Sequence, residues 1–284
     1  MDTVRDVAAL RARIRAWRGH GETIAMVPTM GALHAGHLSL VGIGRRKAHR
    51  VISTIFVNPK QFSANEDLSR YPRQEAVDAA MLRGAGCDLL FAPSAELVYP
   101  RGFATTVSVA GLDLPMEGES RPGHFNGVAT VVSKLLLMAF PDVAIFGEKD
   151  WQQLTIIRRL VTDLEIPVEV VGAPTVREPD GLAMSSRNAY LSHGERAIAA
   201  ALPRTLRAAA MTIASGAGVA ETLSTARAAL KSAGFKLDYL TMADAATLAT
   251  VDRYGPEQPP TRLFIAARLG TTRLIDNWPV EPAG

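Results

Sequence analysis

T-I-A-M-V-P-T-M-G-A-L-H-A-G-H, residues 23–37, is the stretch from which the fold is read. The apolar run Ile24–Val27 meets Pro28, turns at Gly31 and gives way to a helix from about Ala35. Gly31 permits a tight strand-to-helix turn, and Gly36 lets a ligand come close to the backbone. The same texture recurs along the next 140 residues or so. R-V-I-S-T-I-F-V-N-P (50–59) precedes a helix near 73–84, and C-D-L-L-F-A-P (87–93) follows it. After the extended run T-T-V-S-V-A-G-L (105–112), a helix is expected over about 125–139, leading to V-A-I-F-G-E (143–148). A further helix from 150 to about 164 precedes P-V-E-V-V-G-A-P-T-V (167–176). Upstream, Asp2 or Thr3 is expected to cap a first helix with the apolar stripe Val4, Val7, Leu10, Ile14 and Trp17.

Near-continuous apolar strands alternating with helices are what a parallel sheet covered on both faces requires. The expected class is therefore α/β, with a doubly wound parallel sheet over residues 1–176. Beyond about residue 178 the texture changes. An Ala-rich helical region (195–215) and a helix (219–233) precede K-L-D-Y-L-T-M-A-D and R-L-F-I-A-A-R-L-G-T-T-R-L-I-D, the latter a hairpin around Gly270. Residues 177–284 are read as a smaller C-terminal α+β domain.

Composition narrows the classes. Hydrophobic residues make up 48% of the 284 and charged residues 21%, too apolar for a disordered chain. Thirty-one Lys and Arg against 28 Asp and Glu leave +3, and 6% aromatic residues give no stacking platform, so no nucleic-acid partner is expected. The basic cluster Arg45, Arg46, Lys47, His49 and Arg50 reads as a solvated face at a helix C-terminus. One cysteine, Cys87, excludes a disulfide framework and any four-Cys zinc site. With no secretion signal visible and no apolar stretch near the ~20 residues of a membrane span, the expectation is a soluble, cytoplasmic protein without a membrane partner.

Ligands of such sheets bind beyond the carboxyl ends of the strands. The polar motifs fall there, after Pro28, Val57, Phe146 and Val176. His34 and His37, three apart, share one face of a first helical turn, where unsatisfied N–H groups and partial positive charge suit phosphate. That field disfavours imidazolium, so neutral donor histidines are expected. A zinc pair and two incidental histidines are the competing readings; against the zinc pair, no Glu or Cys stands at a complementary spacing nearby. In V-N-P-K-Q-F (57–62), Asn58 and Gln61 end a strand, which fits a substrate contact and a plain polar turn equally. In F-G-E-K-D-W-Q-Q (146–153), Asp150 can cap a helix, Lys149 can set a point charge on phosphate and Gln153 projects one turn in. In R-E-P-D-G-L-A-M-S-S-R-N (177–188), Ser185, Ser186 and Arg187 offer two hydroxyls and a guanidinium fork, although a polar surface loop fits as well. His124, in R-P-G-H-F-N-G (121–127), either lines the site or caps its entrance.

Together, PTMGALHAGH, FVNPKQF, RPGHFNGVATVVSKL, FGEKDWQQ and VREPDGLAMSSRN resemble the pantoate–β-alanine ligase family, AMP-forming members of the HxGH nucleotidyltransferases. The resemblance runs from about Thr23 to Asn188, more weakly beyond, and implies a Rossmann-like sheet. It implies that Met30, Gly31, Ala32, Leu33, His34, Ala35, Gly36 and His37 lie against ATP, with His37 donating to phosphate. Gly147, Glu148, Lys149, Asp150, Val176, Met184, Ser185, Ser186 and Arg187 would complete the nucleotide site. His34, His37, Lys149 and Arg187 would share the catalytic charge stabilisation. Gln61 would contact pantoate and β-alanine, and Gln153 pantoate. ATP as substrate, Mg²⁺ and a cytoplasmic homodimer are implied too. No protein ligand for the metal is assigned; Asp78 is the carboxylate named as a candidate. The rival, an HxGH adenylyltransferase such as a pantetheine-phosphate adenylyltransferase, lacks the Gln61–Gln153 pair and the second domain.

Overall fold

The computed structural model describes residues 1–62, 68–69, 71–255 and 257–281. The chain divides into two compact units, Met1–Glu148 with Ile156–Pro174, and Lys149–Thr155 with Thr175–Gly284. The division thus falls at Pro174/Thr175, two residues before the sequence-based boundary, and residues 149–155 group with the C-terminal unit.

In the first unit, strands β1 (Asp2–Val4), β2 (Ile24–Val27), β3 (Arg50–Thr54), β4 (Leu89–Phe91), β5 (Val143–Gly147) and β6 (Glu169–Ala173) form one parallel sheet in the order β1-β4-β3-β2-β5-β6. Its helices are α1 (Val7–Gly19), α2 (Ala35–Lys47), α3 (Glu75–Gly84), the single turns α4 (Ala95–Val98) and α5 (Glu117–Ser120), and α6 (His124–Ala139). Helix α7 (Trp151–Asp163) begins in the second unit and ends in the first. The alternation of burial along the strands explains their apolar runs. Ala25, Val27, Val51, Leu90, Val143 and Ile145 pack with Leu40, Val41 and Leu82 of α2 and α3. Met26, Ile52, Leu89, Phe91 and Ala144 point the other way and are just as inaccessible, so both faces are covered.

One expectation is corrected. Asp2, Thr3 and Val4 do not cap or join α1; they form the edge strand β1, paired with β4, and Asp6 caps the helix by accepting from Ala9 N. Leu10, Ile14 and Trp17 are buried as the stripe requires. The run 105–112 forms no strand. Val107 N instead donates to Thr130 Oγ1, and Val109 packs on Phe125, Ala129, Ile156 and Leu160.

The second unit contains α8 (His193–Ala199), α9 (Ala201–Ala214) and α10 (Val219–Ser232), and strands β7 (Lys236–Asp244), β8 (Thr261–Leu269) and β9 (Thr272–Val280) in an antiparallel sheet of order β7-β8-β9. The β8–β9 hairpin turns at Gly270, whose φ of 57° is left-handed. Leu206, Ile213, Leu223 and Leu230 of the helices pack on Leu240, Met242, Leu263, Ile265 and Leu274 of the sheet. Among the described residues no helix is long and apolar enough to cross a membrane.

Candidate active site

Strand order places one point of interest in the first unit. From β2 the chain adds β3 and then β4 on one side, and β5 lands on the other side. Ligands of doubly wound sheets bind where the order reverses, at the carboxyl ends, here the segments after Val27 and after Phe146.

The turn after β2 is built by distant partners. Thr29 N donates to Thr54 Oγ1 (3.1 Å), the Thr29 hydroxyl to Thr54 O (2.5 Å), and Gly31 N to Thr29 Oγ1 (3.2 Å). Gly31 and Ala32 then take φ of 84° and 51°, the left-handed region that turns the chain back toward α2. Asp78, on α3 and 1% exposed, holds this conformation: Oδ2 accepts from Ala32 N and Oδ1 from Leu33 N, each at 2.9 Å. A Cβ on Gly31 would stand 3.0 Å from Asp78 Oδ2, so the carboxylate also closes that space. Each Asp78 oxygen thus accepts from a backbone amide, which gives the carboxylate a structural role in this turn. Among the described residues no three His, Cys, Asp or Glu side chains converge into a metal site.

His34 is the N-cap of α2 and His37 its third residue, and they close a reciprocal box. Gly36 N donates to His34 Nδ1 (3.2 Å) and His34 N to His37 Nδ1 (3.3 Å), with ring centroids 4.1 Å apart. A ring nitrogen that accepts from an amide carries no proton, so each imidazole is neutral with its proton on Nε2. Both rings are thus N–H donors at the positive end of a helix, as an anion requires. The helix ends on Arg45, Arg46 and Lys47, which complement its negative end.

Gln61 closes a 3₁₀ turn, Pro59–Gln61, capped by Asn58. Asn58 is 1% exposed and its amide is fully committed. Nδ2 donates to Gly127 O (3.1 Å) and Gln61 Oε1 (3.0 Å), while Oδ1 accepts from the Tyr99 hydroxyl (2.7 Å) and Lys60 N (3.3 Å). With Oε1 engaged, Gln61 turns its NH₂ to the Met30 sulfur at 3.1 Å. The backbone carbonyl of Gln61 accepts from His124 Nδ1 (2.8 Å) and Arg121 (3.3 Å), and Arg121 also meets His124 Nε2 (3.0 Å). His124 is therefore a neutral, buried brace for the Gln61 turn. Gly127 makes the approach of α6 possible: a Cβ there would lie 2.3 Å from Lys60 O and 2.7 Å from Gln61 N.

The remaining candidates group in the second unit, Gly147 and Glu148 excepted. Lys149 and Asp150 lie in a 3₁₀ turn, with Lys149 Nζ 3.8 Å from Asp150 Oδ1, and α7 starts one residue later at Trp151. Asn277 donates to Lys149 O (2.9 Å) and accepts from Arg262 (2.8 Å), whose guanidinium lies 3.8 Å over the Trp151 ring. Trp151 Nε1 in turn donates to Ala245 O (2.8 Å), which explains why 149–155 group with this unit. Gln153 is half-buried on the first turn of α7.

The 177–188 segment is a braced hairpin, not a loose loop. Met184 N donates to Val176 O (3.0 Å), and Arg177 makes a bidentate pair with buried Asp276 (2.7 and 3.0 Å). Ser185 caps the 3₁₀ turn Ser186–Tyr190 by accepting from Arg187 N (3.3 Å). Met184, Ser185, Ser186 and Arg187 are partly exposed on that frame.

Met30 through His37 and Gln61 are thus brought together in the first unit, and Lys149, Gln153 and the 184–187 turn belong to the second. Sequence reasoning missed Asp78 as the amide acceptor, Gly127 as the close approach and Tyr99 as the partner of Asn58. Only Gly127, inside the quoted RPGHFNG, carried a signal: a glycine within an apolar helix marks close packing.

Comparison with known proteins agrees with this architecture. A family model described as pantoate-β-alanine ligase matches residues 2–279. The pantothenate synthetase of Paramagnetospirillum magneticum is 57% identical over 280 residues, 98% of each chain, and that of Caulobacter vibrioides 54% identical over 281 residues, again 98% of each. The crystal structure of pantothenate synthetase from Thermus thermophilus superposes with a TM-score of 0.93 at 49% identity, covering 99% of this chain and 100% of that one. A pantoate-β-alanine ligase from Francisella tularensis, complexed with β-γ ATP and β-alanine, gives 0.83 at 34% identity, covering 100% of this chain and 99% of that one. With the match running nearly end to end in sequence and structure, this chain belongs to the pantoate-β-alanine ligase family.

Proposed function

We propose that this protein joins pantoate to β-alanine with ATP, forming pantothenate, AMP and pyrophosphate through a pantoyl adenylate. The carrying observation is the pair of neutral Nε2–H donors at the mouth of α2, set at the carboxyl end of β2. The chain's full-length match to the ligase family, with its second domain, favours this over a plain HxGH adenylyltransferase.

Charges dictate the order of events. Pantoate's carboxylate is ionised at neutral pH, so the first step needs no general base. One carboxylate oxygen bonds to the α-phosphorus, the bond from that phosphorus to the bridging oxygen breaks, and pyrophosphate leaves. The protein's part is positioning and stabilising the charge that develops on phosphate oxygens. His34 and His37 donate to those oxygens, and Lys149 and Arg187 supply positive charge. Met30–His37, Gly147–Asp150, Val176 and Met184–Arg187 form the proposed nucleotide contacts. Gln61, presenting its NH₂, donates to pantoate oxygens and then to β-alanine's carboxylate, and Gln153 holds pantoate. In the second step the β-alanine nitrogen, its ammonium proton given to solvent, bonds to the acyl carbon, the bond from that carbon to the adenylate oxygen breaks to release AMP, and the nitrogen gives a second proton to solvent to leave the amide. Magnesium belongs to the proposal as the ion that accompanies ATP on its phosphates, consistent with the engagement of Asp78 by amides. A cytoplasmic homodimer, implied by the family resemblance, is proposed with it.

Exchange of labelled pyrophosphate into ATP tests the reading. Exchange should require pantoate and should not require β-alanine. Exchange without pantoate, or release of ADP in the full reaction, would overturn it.

A further inference from the structure

We propose that Tyr99 is a positioning residue: its hydroxyl fixes the Asn58 amide and thereby makes Gln61 present its NH₂ to pantoate. The inference rests on the proposed function and deepens it by naming what sets the polarity of the acid-binding amide.

A glutamine amide has two ends of similar shape and opposite character, and recognition of an anion or alcohol oxygen needs the NH₂ end outward. Gln61 has that orientation because its Oε1 is held by Asn58 Nδ2 at 3.0 Å. Asn58 can offer Nδ2 only while Oδ1 faces donors, and these are the Tyr99 hydroxyl at 2.7 Å and the longer Lys60 N at 3.3 Å. The Tyr99 contact is the shorter of the two and comes from 41 residues away, so it ties the turn to a separate part of the unit. Tyr99 is itself held, ring on ring, by Phe56 and Phe103 at centroid distances of 6.2 and 5.1 Å, with Lys60 Nζ 5.3 Å over its face. Burial pushes the Tyr99 phenol up to about 12, so the hydroxyl remains a donor throughout the working pH range. Asn58 is 1% exposed, and water cannot readily replace a lost partner there.

The test is Tyr99→Phe, which keeps the ring and its packing and deletes one donor. Pantoate KM should rise about five- to twentyfold, the lower part of the range for a buried acceptor that loses a partner, because Lys60 N still donates to the same oxygen. The KM for ATP should stay within twofold and kcat should change less than the pantoate KM. A double-mutant cycle with Gln61→Ala gives the decisive readout. If Tyr99 acts through Gln61, Tyr99→Phe adds nothing to the pantoate KM once Gln61 is removed. Equal shifts in the KM values for ATP and pantoate, an unchanged Tyr99→Phe enzyme, or additive effects in the cycle would overturn the proposal. Failure of the functional reading would look different, because the unmodified enzyme would then form AMP without requiring pantoate.

Discussion

Gly127→Ala puts one methyl group against the turn that carries Gln61, and its consequence can be worked from distances. The new Cβ would lie 2.3 Å from Lys60 O, 2.5 Å from Lys60 C and 2.7 Å from Gln61 N. Ordinary contact is roughly 3.5 Å, so the Lys60–Gln61 peptide or the first turns of α6 must retreat by about 1 Å. No flexible side-chain end can absorb this, because the atoms met are all backbone. Retreat also strains the bonds from Asn58 Nδ2 to Gly127 O and from His124 to Gln61 O. Overpacking of this kind costs about 1–3 kcal/mol of stability. A displacement of about 1 Å in a substrate-positioning group costs on the order of 10²-fold in rate. The assay is kcat/KM for pantoate at saturating ATP, with ATP-analogue affinity from calorimetry and a thermal melt alongside. The expected result is a folded protein of lower Tm whose pantoate efficiency falls on the order of 10²-fold while nucleotide affinity holds. Gly84→Ala, where a Cβ meets nothing within 4 Å, is the matched control and should leave the kinetics unchanged. A Gly127→Ala enzyme with wild-type pantoate kinetics would refute the reasoning.

Three further outcomes are expected. His37→Ala should slow adenylate formation in a single turnover by on the order of 10²–10³-fold, the usual loss for one donor to developing charge; a normal first turnover would remove His37 from that role. Arg187→Lys keeps the charge and loses the planar fork, so pyrophosphate exchange should fall markedly, and unchanged exchange would make the Ser186–Tyr190 turn a scaffold alone. Burial pushes the Cys87 thiol from 9.0 up to about 11, so the native protein should resist a thiol reagent at pH 8 that labels it once unfolded. Above pH 9 the unfolded chain loses the thiol proton first, so part of the stability declines as pH rises from about 9 to 11, and Cys87→Val should remove that part of the slope in denaturant titrations against pH.

The parallel sheet was legible because strands buried on both faces are apolar runs, and β2, β4 and β5 announce themselves that way, while β3 (R-V-I-S-T) and β6 (E-V-V-G-A) do so over part of their length. The sixth, β1, is three residues long with the composition D-T-V, and only its partner at 89–91 makes it a strand. The single turns α4 and α5 are too short to show a helical period. For the candidate site, the His34–His37 spacing told of a shared helix face, and the helix field led to the expectation of neutral rings. What spacing could not tell was which distant side chains complete the local geometry. Asp78 reads in the sequence as an acidic residue in the first turn of an amphipathic helix. Its burial against Ala32 and Leu33 exists only after α3 has packed. Tyr99 is likewise one aromatic among several until the fold sets its hydroxyl on Asn58. Residues 149–155 change unit for the same reason: Trp151 finds its acceptor at Ala245, 94 positions away.

The reciprocal box at the start of α2 has a consequence for turnover. Many helix mouths grip phosphate with main-chain amides, which every substitution except proline leaves in place. In this mouth the amides of His34, Gly36 and His37 already donate to His37 Nδ1, His34 Nδ1 and His34 O. In the proposed reaction, the anion is met there by two imidazole N–H groups that carry direction but no formal charge. Hydrogen bonds between a neutral donor and an anion owe less to Coulomb attraction than those from a cation. On the proposed chemistry, such a mouth can align a triphosphate for attack without becoming a trap for the pyrophosphate it must then release. The same economy makes the grip erasable, since a single codon change at either histidine removes a donor that a backbone would have kept.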